Sequence, residues 1–189
     1  MIDQTNITNQ EIEESFKRDG YVVVENIIQD HDLEPIRKHI KTRVEEYAHE
    51  QYAAGNISSL YNRESFERRY AVICEELSIS PRSWIGHTYG REFYDLYNLP
   101  GILHVLSVIH GSEISNIGSP ALRTKLPGSV ITSFPWHQDS QYVDQATIGK
   151  KERHTENLLM VTVWVPLVEA SVKNGCCWVI PGSHCWGLL

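Results

Sequence analysis

Phe134-Pro135-Trp136-His137-Gln138-Asp139 is the stretch of this chain whose residue types and spacing could do chemistry. On an extended segment side chains alternate between faces, so His137 and Asp139 share one. One imidazole nitrogen and one carboxylate oxygen can then hold two neighbouring positions on a divalent ion. That is two-thirds of the two-histidine, one-carboxylate set that leaves open positions on non-haem Fe(II). The spacing alone is weak. With 9 histidines in 189 residues, chance supplies roughly 0.3 such pairs. The plain alternative is a histidine and an aspartate at a strand end sharing a hydrogen bond, and the motif by itself leaves both open.

Other metal or nucleophile sets are poorer. Cys74, Cys176, Cys177 and Cys185 show no C-x-x-C spacing. Neighbours on a strand, Cys176 and Cys177 face opposite ways and cannot grip one ion together. His184 follows His137 by 47 residues, but with Cys185 it is too sparse a set for zinc. His154 sits in the charged stretch Lys150 to Glu156, read as a solvated loop. His104 and His110 fall on an apolar helical pattern, where buried, hydrogen-bonded histidines are the default.

The elements that would position the motif change character along the chain. Thr8 followed by Glu11 has capping-box spacing, and Gly20 is placed to stop that helix. Tyr21 to Val24 is a β-branched run, read as a strand. Leu33, Ile36, Ile40, Val44 and Tyr47 repeat at three- and four-residue steps on a long helix that Gly55 ends. A polar helix follows from about Glu64 to Glu76, and Pro100 opens another over Ile102 to Ile109. Beyond Gly111, Gly, Pro and Ser punctuate short apolar runs. Strands are expected at Ala121 to Leu126, Trp136 to Gln141, Leu158 to Leu167 and Cys176 to Ile180. Asn174-Gly175 is a turn signal before the last. The pattern predicts one domain over residues 1–189: a helical layer over about 1–111, then a β core over about 112–189.

Composition narrows the function classes. The chain carries 17 Lys+Arg and 24 Asp+Glu, a formal net charge of −7. That balance argues against a dedicated nucleic-acid binder and against adsorption to anionic membranes. The longest apolar run, Leu158 to Val168, is interrupted by Thr162 and Pro166 and suits a buried strand better than a span. The start lacks the basic and apolar regions of a secretory signal, so a cytoplasmic protein with reduced thiols is expected.

Several segments, in order, resemble the phytanoyl-CoA dioxygenase family of Fe(II)/2-oxoglutarate oxygenases. They are Phe16 to Val24, Thr124-Lys125-Leu126-Pro127-Gly128, Trp136-His137-Gln138-Asp139, Thr162 to Leu167, and Asn174-Gly175 running on to Ile180-Pro181-Gly182-Ser183-His184. The last is the most specific, because turn, strand and loop occur in a fixed order. The resemblance implies a mostly β fold with flanking helices: a double-stranded β-helix, jelly-roll or cupin-like. It implies Fe(II) held by His137 and Asp139, with 2-oxoglutarate as cosubstrate near Trp164 and Lys125. With O2, such a site hydroxylates a small-molecule substrate. An aspartate at position 139, where related halogenases carry a small residue, implies hydroxylation. His184 matches a structural loop.

In the family the second histidine and the 2-oxoglutarate-binding arginine lie well past the Pro-Gly-Ser-His signature. This sequence ends at Leu189, so a fragment with the β-helix incomplete at its C-terminal end is expected. The alternative is a catalytically inactive, cupin-like binding domain, which would not respond to 2-oxoglutarate.

Overall fold

A computed structural model describes residues 7–79, 90–111, 113–116, 122–126, 133–139 and 160–187. Among the described residues there are five α-helices, α1 (Asn9–Asp19), α2 (Asp30–Ala53), α3 (Phe66–Leu77), α4 (Arg91–Tyr97) and α5 (Pro100–His110), and two short 3-10 helices, Val172–Asn174 and Ser183–Trp186. α1 and α5 begin where local chemistry favours a start. At α1 the capping box closes in both directions. Thr8 Oγ1 accepts the Glu11 N–H at 3.2 Å, and the Thr8 N–H donates to the Glu11 carboxylate at 2.8 Å. This offsets two of the donors a helix start leaves unpaired. Pro100 opens α5 at a position whose N–H would be unpaired in any case.

α2 is the spine between two apolar clusters. Val44 and Ala48 meet Ile57, Tyr70, Ile73 and Cys74 from α3 and the turn before it, and Leu126 packs on that cluster. Leu33 and Ile36 meet Phe93, Leu96 and Ile102 from α4 and α5, and Val165 and Leu167 pack there. The stripe expected on α2 is therefore buried, as two successive contacts with different partners. α1 lies against α5, and His104 Nε2 bonds Asn9 Oδ1 at 2.8 Å across that contact. His104 is exposed, not buried as the apolar pattern of α5 suggested.

The expectation of a mostly β, double-stranded β-helix fold is overturned. No strand occurs among the described residues, and 52% of them are helical. The segments expected as strands within 21–24, 122–126, 136–139, 160–167 and 176–180 are irregular. Residues 121, 140–141 and 158–159 of those expectations lie outside the described residues. The physical reason is visible in the backbone partners. An alternating pattern marks a segment that can extend, but a strand also needs a neighbouring backbone to form a ladder. Here side chains and turns take that place. The Leu167 carbonyl accepts from Arg37 Nε at 2.7 Å, and the Ser171 carbonyl accepts the Cys176 N–H at 3.0 Å across the Asn174-Gly175 turn. Gly175 has φ +83° there, and a Cβ added to it would meet the Lys125 side chain at 3.1 Å. No described helix is long and apolar enough to cross a membrane.

Two carboxylates tie the helical layer together. Glu76 on α3 accepts the Ser58 N–H at 2.8 Å and the Tyr61 hydroxyl, and these bonds hold its carboxyl below its ordinary pKa. Arg69 does the same to Glu45 across α2 and α3. A depressed folded-state pKa contributes stability above the carboxylate range and loses it as pH falls through that range. The melting temperature should therefore drop as the solution is acidified below about pH 4.5. Glu76→Gln should flatten part of that drop, and an equal drop in wild type and variant would remove Glu76 from the account.

Candidate functional site

The residues around the Trp-His-Gln-Asp motif are placed by three contacts with the rest of the molecule. Leu126 is anchored in the first apolar cluster, which fixes segment 122–126. Along it Leu122, Thr124 and Leu126 are half-buried while Arg123 and Lys125 are exposed. Val165 and Leu167 are anchored in the second cluster, which fixes segment 160–167 and so Thr162. Gln138 Nε2 donates to the Ser183 carbonyl at 3.4 Å, joining the motif to the Pro-Gly-Ser-His loop.

His137 and Asp139 do share a side. His137 Nε2 lies 3.2 Å from Asp139 Oδ1. The other ring nitrogen, Nδ1, lies 2.7 Å from the Pro135 carbonyl. A carbonyl only accepts, so Nδ1 carries a hydrogen and, in the neutral ring, Nε2 carries a lone pair. That lone pair then faces a carboxylate oxygen. Two acceptors at that separation need a positive centre between or beside them, either a proton on the ring or a metal ion. Asp139 Oδ2 is occupied separately by the Thr162 hydroxyl, which donates at 2.6 Å.

The spacing also suits an ion. Ligand atoms each about 2.1 Å from a metal and at right angles lie about 3.0 Å apart. Both side chains are part-exposed, at 29% and 44%, so solvent and small molecules can reach them. Outer hydrogen bonds of this kind orient first ligands and fix the imidazole tautomer. Among the described residues no group of three or more His, Cys, Asp or Glu side chains converges, so His137 and Asp139 stand there as a pair.

His184 is elsewhere. Its Nε2 donates to the Lys17 carbonyl at 3.0 Å, at the C-terminal end of α1, and Cys185 Sγ is 3.4 Å from the same nitrogen. Its ring packs on Gly20, where an added Cβ would fall 2.4 Å from Nδ1. The Gly182 N–H donates to the Asp19 carbonyl at 2.8 Å. The loop thus clasps the end of α1 on one side and Gln138 on the other. His154 lies outside the described residues. Cys74 is buried, and burial raises its thiol pKa, so it stays a protonated packing group.

Lys125 and Trp164, expected near a cosubstrate, are both accessible. Lys125 Nζ sits 4.9 Å from the centroid of the Phe134 ring, and that ring is 6.2 Å from the imidazole of His137. Trp164 is 47% exposed, two residues past Thr162. Thr162 and Arg123 are neighbours to which sequence reasoning gave no role at the site. A signal existed for the first: Thr162 is a hydroxyl interrupting an otherwise apolar run.

Comparison with known proteins adds an independent line. The family model described as Phytanoyl-CoA dioxygenase (PhyH) matches residues 16–188. A protein of Caenorhabditis elegans, "Phytanoyl-CoA dioxygenase domain-containing protein 1 homolog", is 25% identical over 92% of this chain and 64% of its own length. "Phytanoyl-CoA dioxygenase domain-containing protein 1" of Danio rerio is 22% identical over 94% of this chain and 66% of its own. The chain thus spans just under two thirds of these relatives. No solved structure matches it.

Proposed function

Since this chain belongs to the phytanoyl-CoA dioxygenase (PhyH) family, whose members are in general Fe(II)/2-oxoglutarate oxygenases, we propose that it takes part in Fe(II)- and 2-oxoglutarate-dependent hydroxylation of a small molecule, with His137 and Asp139 as two iron ligands. The observation that carries this reading is the 3.2 Å approach of His137 Nε2 to Asp139 Oδ1, with each outer atom held by its own partner.

Bound Fe(II) with 2-oxoglutarate and O2 would supply the oxidising power for an unactivated C–H bond. The chain's own residues bind and orient. The Pro135 carbonyl keeps the Nδ1 hydrogen, so that Nε2 stays available as a ligand. Thr162 holds Oδ2, which leaves Oδ1 directed at the position Nε2 faces. Asp139 also supplies negative charge that lowers the net charge of a ferrous centre. Lys125 provides a cation for a cosubstrate carboxylate, and Trp164 provides an accessible indole as a wall for it.

The test is conversion of 2-oxoglutarate to succinate by the purified chain, with and without Fe(II). Iron-dependent succinate supports the reading. Cosubstrate that neither binds nor turns over points instead to a binding domain. Thr162→Val removes one outer hydrogen bond while keeping the shape. It should weaken Fe(II) affinity about tenfold, and a Kd unchanged in metal titration would show that Thr162 does not orient the ligand.

A further inference from the structure

Arg123 lies beside this pair with its guanidinium carbon 4.8 Å from the Phe134 ring centroid. Lys125 approaches the same ring at 4.9 Å, and the ring stands 6.2 Å from the His137 imidazole. Elsewhere all the described arginines but Arg63 are spoken for. Arg18, Arg37, Arg43, Arg68, Arg69 and Arg91 each hold a carboxylate. Arg123 holds none among the described residues, in a chain whose net charge is −7. Two cations brought to one ring repel each other, and an anion between or beside them removes that cost. A guanidinium resting on an aromatic face keeps its N–H fork at the rim, where it can take two oxygens of one carboxylate or phosphate.

We infer that Arg123, supported by Phe134, anchors an anionic group of the substrate, so that the substrate class is a small molecule bearing a carboxylate or a phosphate. Phe134 is the spacer: an anion on Arg123 places the rest of the molecule one ring away from His137. The identity of the reacting centre rests on the oxygenase reading; the anion preference does not, and it can be measured without iron.

The probes are octanoate, octyl phosphate and octanamide, which share an apolar chain and differ in the head group. Binding to the metal-free chain is followed by calorimetry. Octanoate or octyl phosphate should bind about tenfold more tightly than octanamide, the scale of one charge-assisted hydrogen-bonded pair. Which of the two leads tells carboxylate from phosphate. Arg123→Gln should erase the preference, while Arg63→Gln, at a turn arginine that also lacks an acidic partner among the described residues, should keep it. Circular dichroism of each variant checks the helices. Equal binding of acid and amide, no binding of any probe, or a preference that survives Arg123→Gln overturns the inference. A preference that stands while the chain shows no iron-dependent succinate keeps the anchor and removes the oxygenase reading.

Discussion

His137→Ala should lower Fe(II) affinity by more than about a hundredfold and reduce 2-oxoglutarate turnover to background. Loss of a mere outer-shell partner costs about 10–100-fold, and this substitution removes a ligand atom itself. Asp139→Ala should do the same by a second route, since it also withdraws the negative charge beside Nε2. The paired control is His184→Ala. That imidazole bonds the Lys17 carbonyl and packs on Gly20, so its loss should leave iron affinity within a few-fold while lowering the melting temperature. Metal titration by calorimetry and a succinate assay read all three. If His184→Ala abolished iron binding and His137→Ala did not, the assignment of roles would be reversed.

Gly20→Ala should destabilise the chain by about 2–3 kcal/mol, for two additive reasons. Gly20 closes α1 at φ +79°, a left-handed conformation that costs a residue with a Cβ about 1 kcal/mol. The new methyl would also stand 2.4 Å from His184 Nδ1. That approach forces the imidazole away and strains its bond to Lys17. A fall in melting temperature of about 5–10 °C is expected for a chain of this size. A double-mutant cycle separates the two parts. In the His184→Ala background only the backbone cost should remain, so Gly20→Ala should lose about half its effect. Full additivity would mean that the ring and the glycine do not contact in solution.

These two expectations concern the two ends of one structural chain. α1 ends at Gly20, His184 and Gly182 clasp that end, Ser183 receives Gln138, and Gln138 lies between His137 and Asp139. The Pro-Gly-Ser-His loop therefore reaches the motif segment through Gln138. Its role is to hold the motif segment to the helical layer.

How much of this could be read beforehand depended on whether a signal was local. The capping box at Thr8 and Glu11, the stop at Gly20, the α2 stripe and the Pro100 start are each specified within a few residues, and each is present. α4 escaped notice because Arg91 to Tyr97 is a single short amphipathic stretch without a side-chain cap. The β-helix failed because a ladder depends on a second backbone far away in sequence, and period-two alternation does not reveal which groups will take its carbonyls. Arg37 takes that of Leu167, 130 residues away. His137 and Asp139 do meet, but on an irregular segment and not on the strand whose alternation suggested it, whereas Thr162 and Arg123 come near them through tertiary packing.

The central claim is that a single ion bridges His137 Nε2 and Asp139 Oδ1. The most direct measurement is a crystal structure of the Fe(II)-loaded chain, with anomalous diffraction recorded at the iron edge. The account predicts one anomalous peak about 2.1 Å from both atoms, with Thr162 still on Oδ2. A peak at other side chains, or a ring proton alone joining His137 to Asp139 with iron in excess, would contradict it.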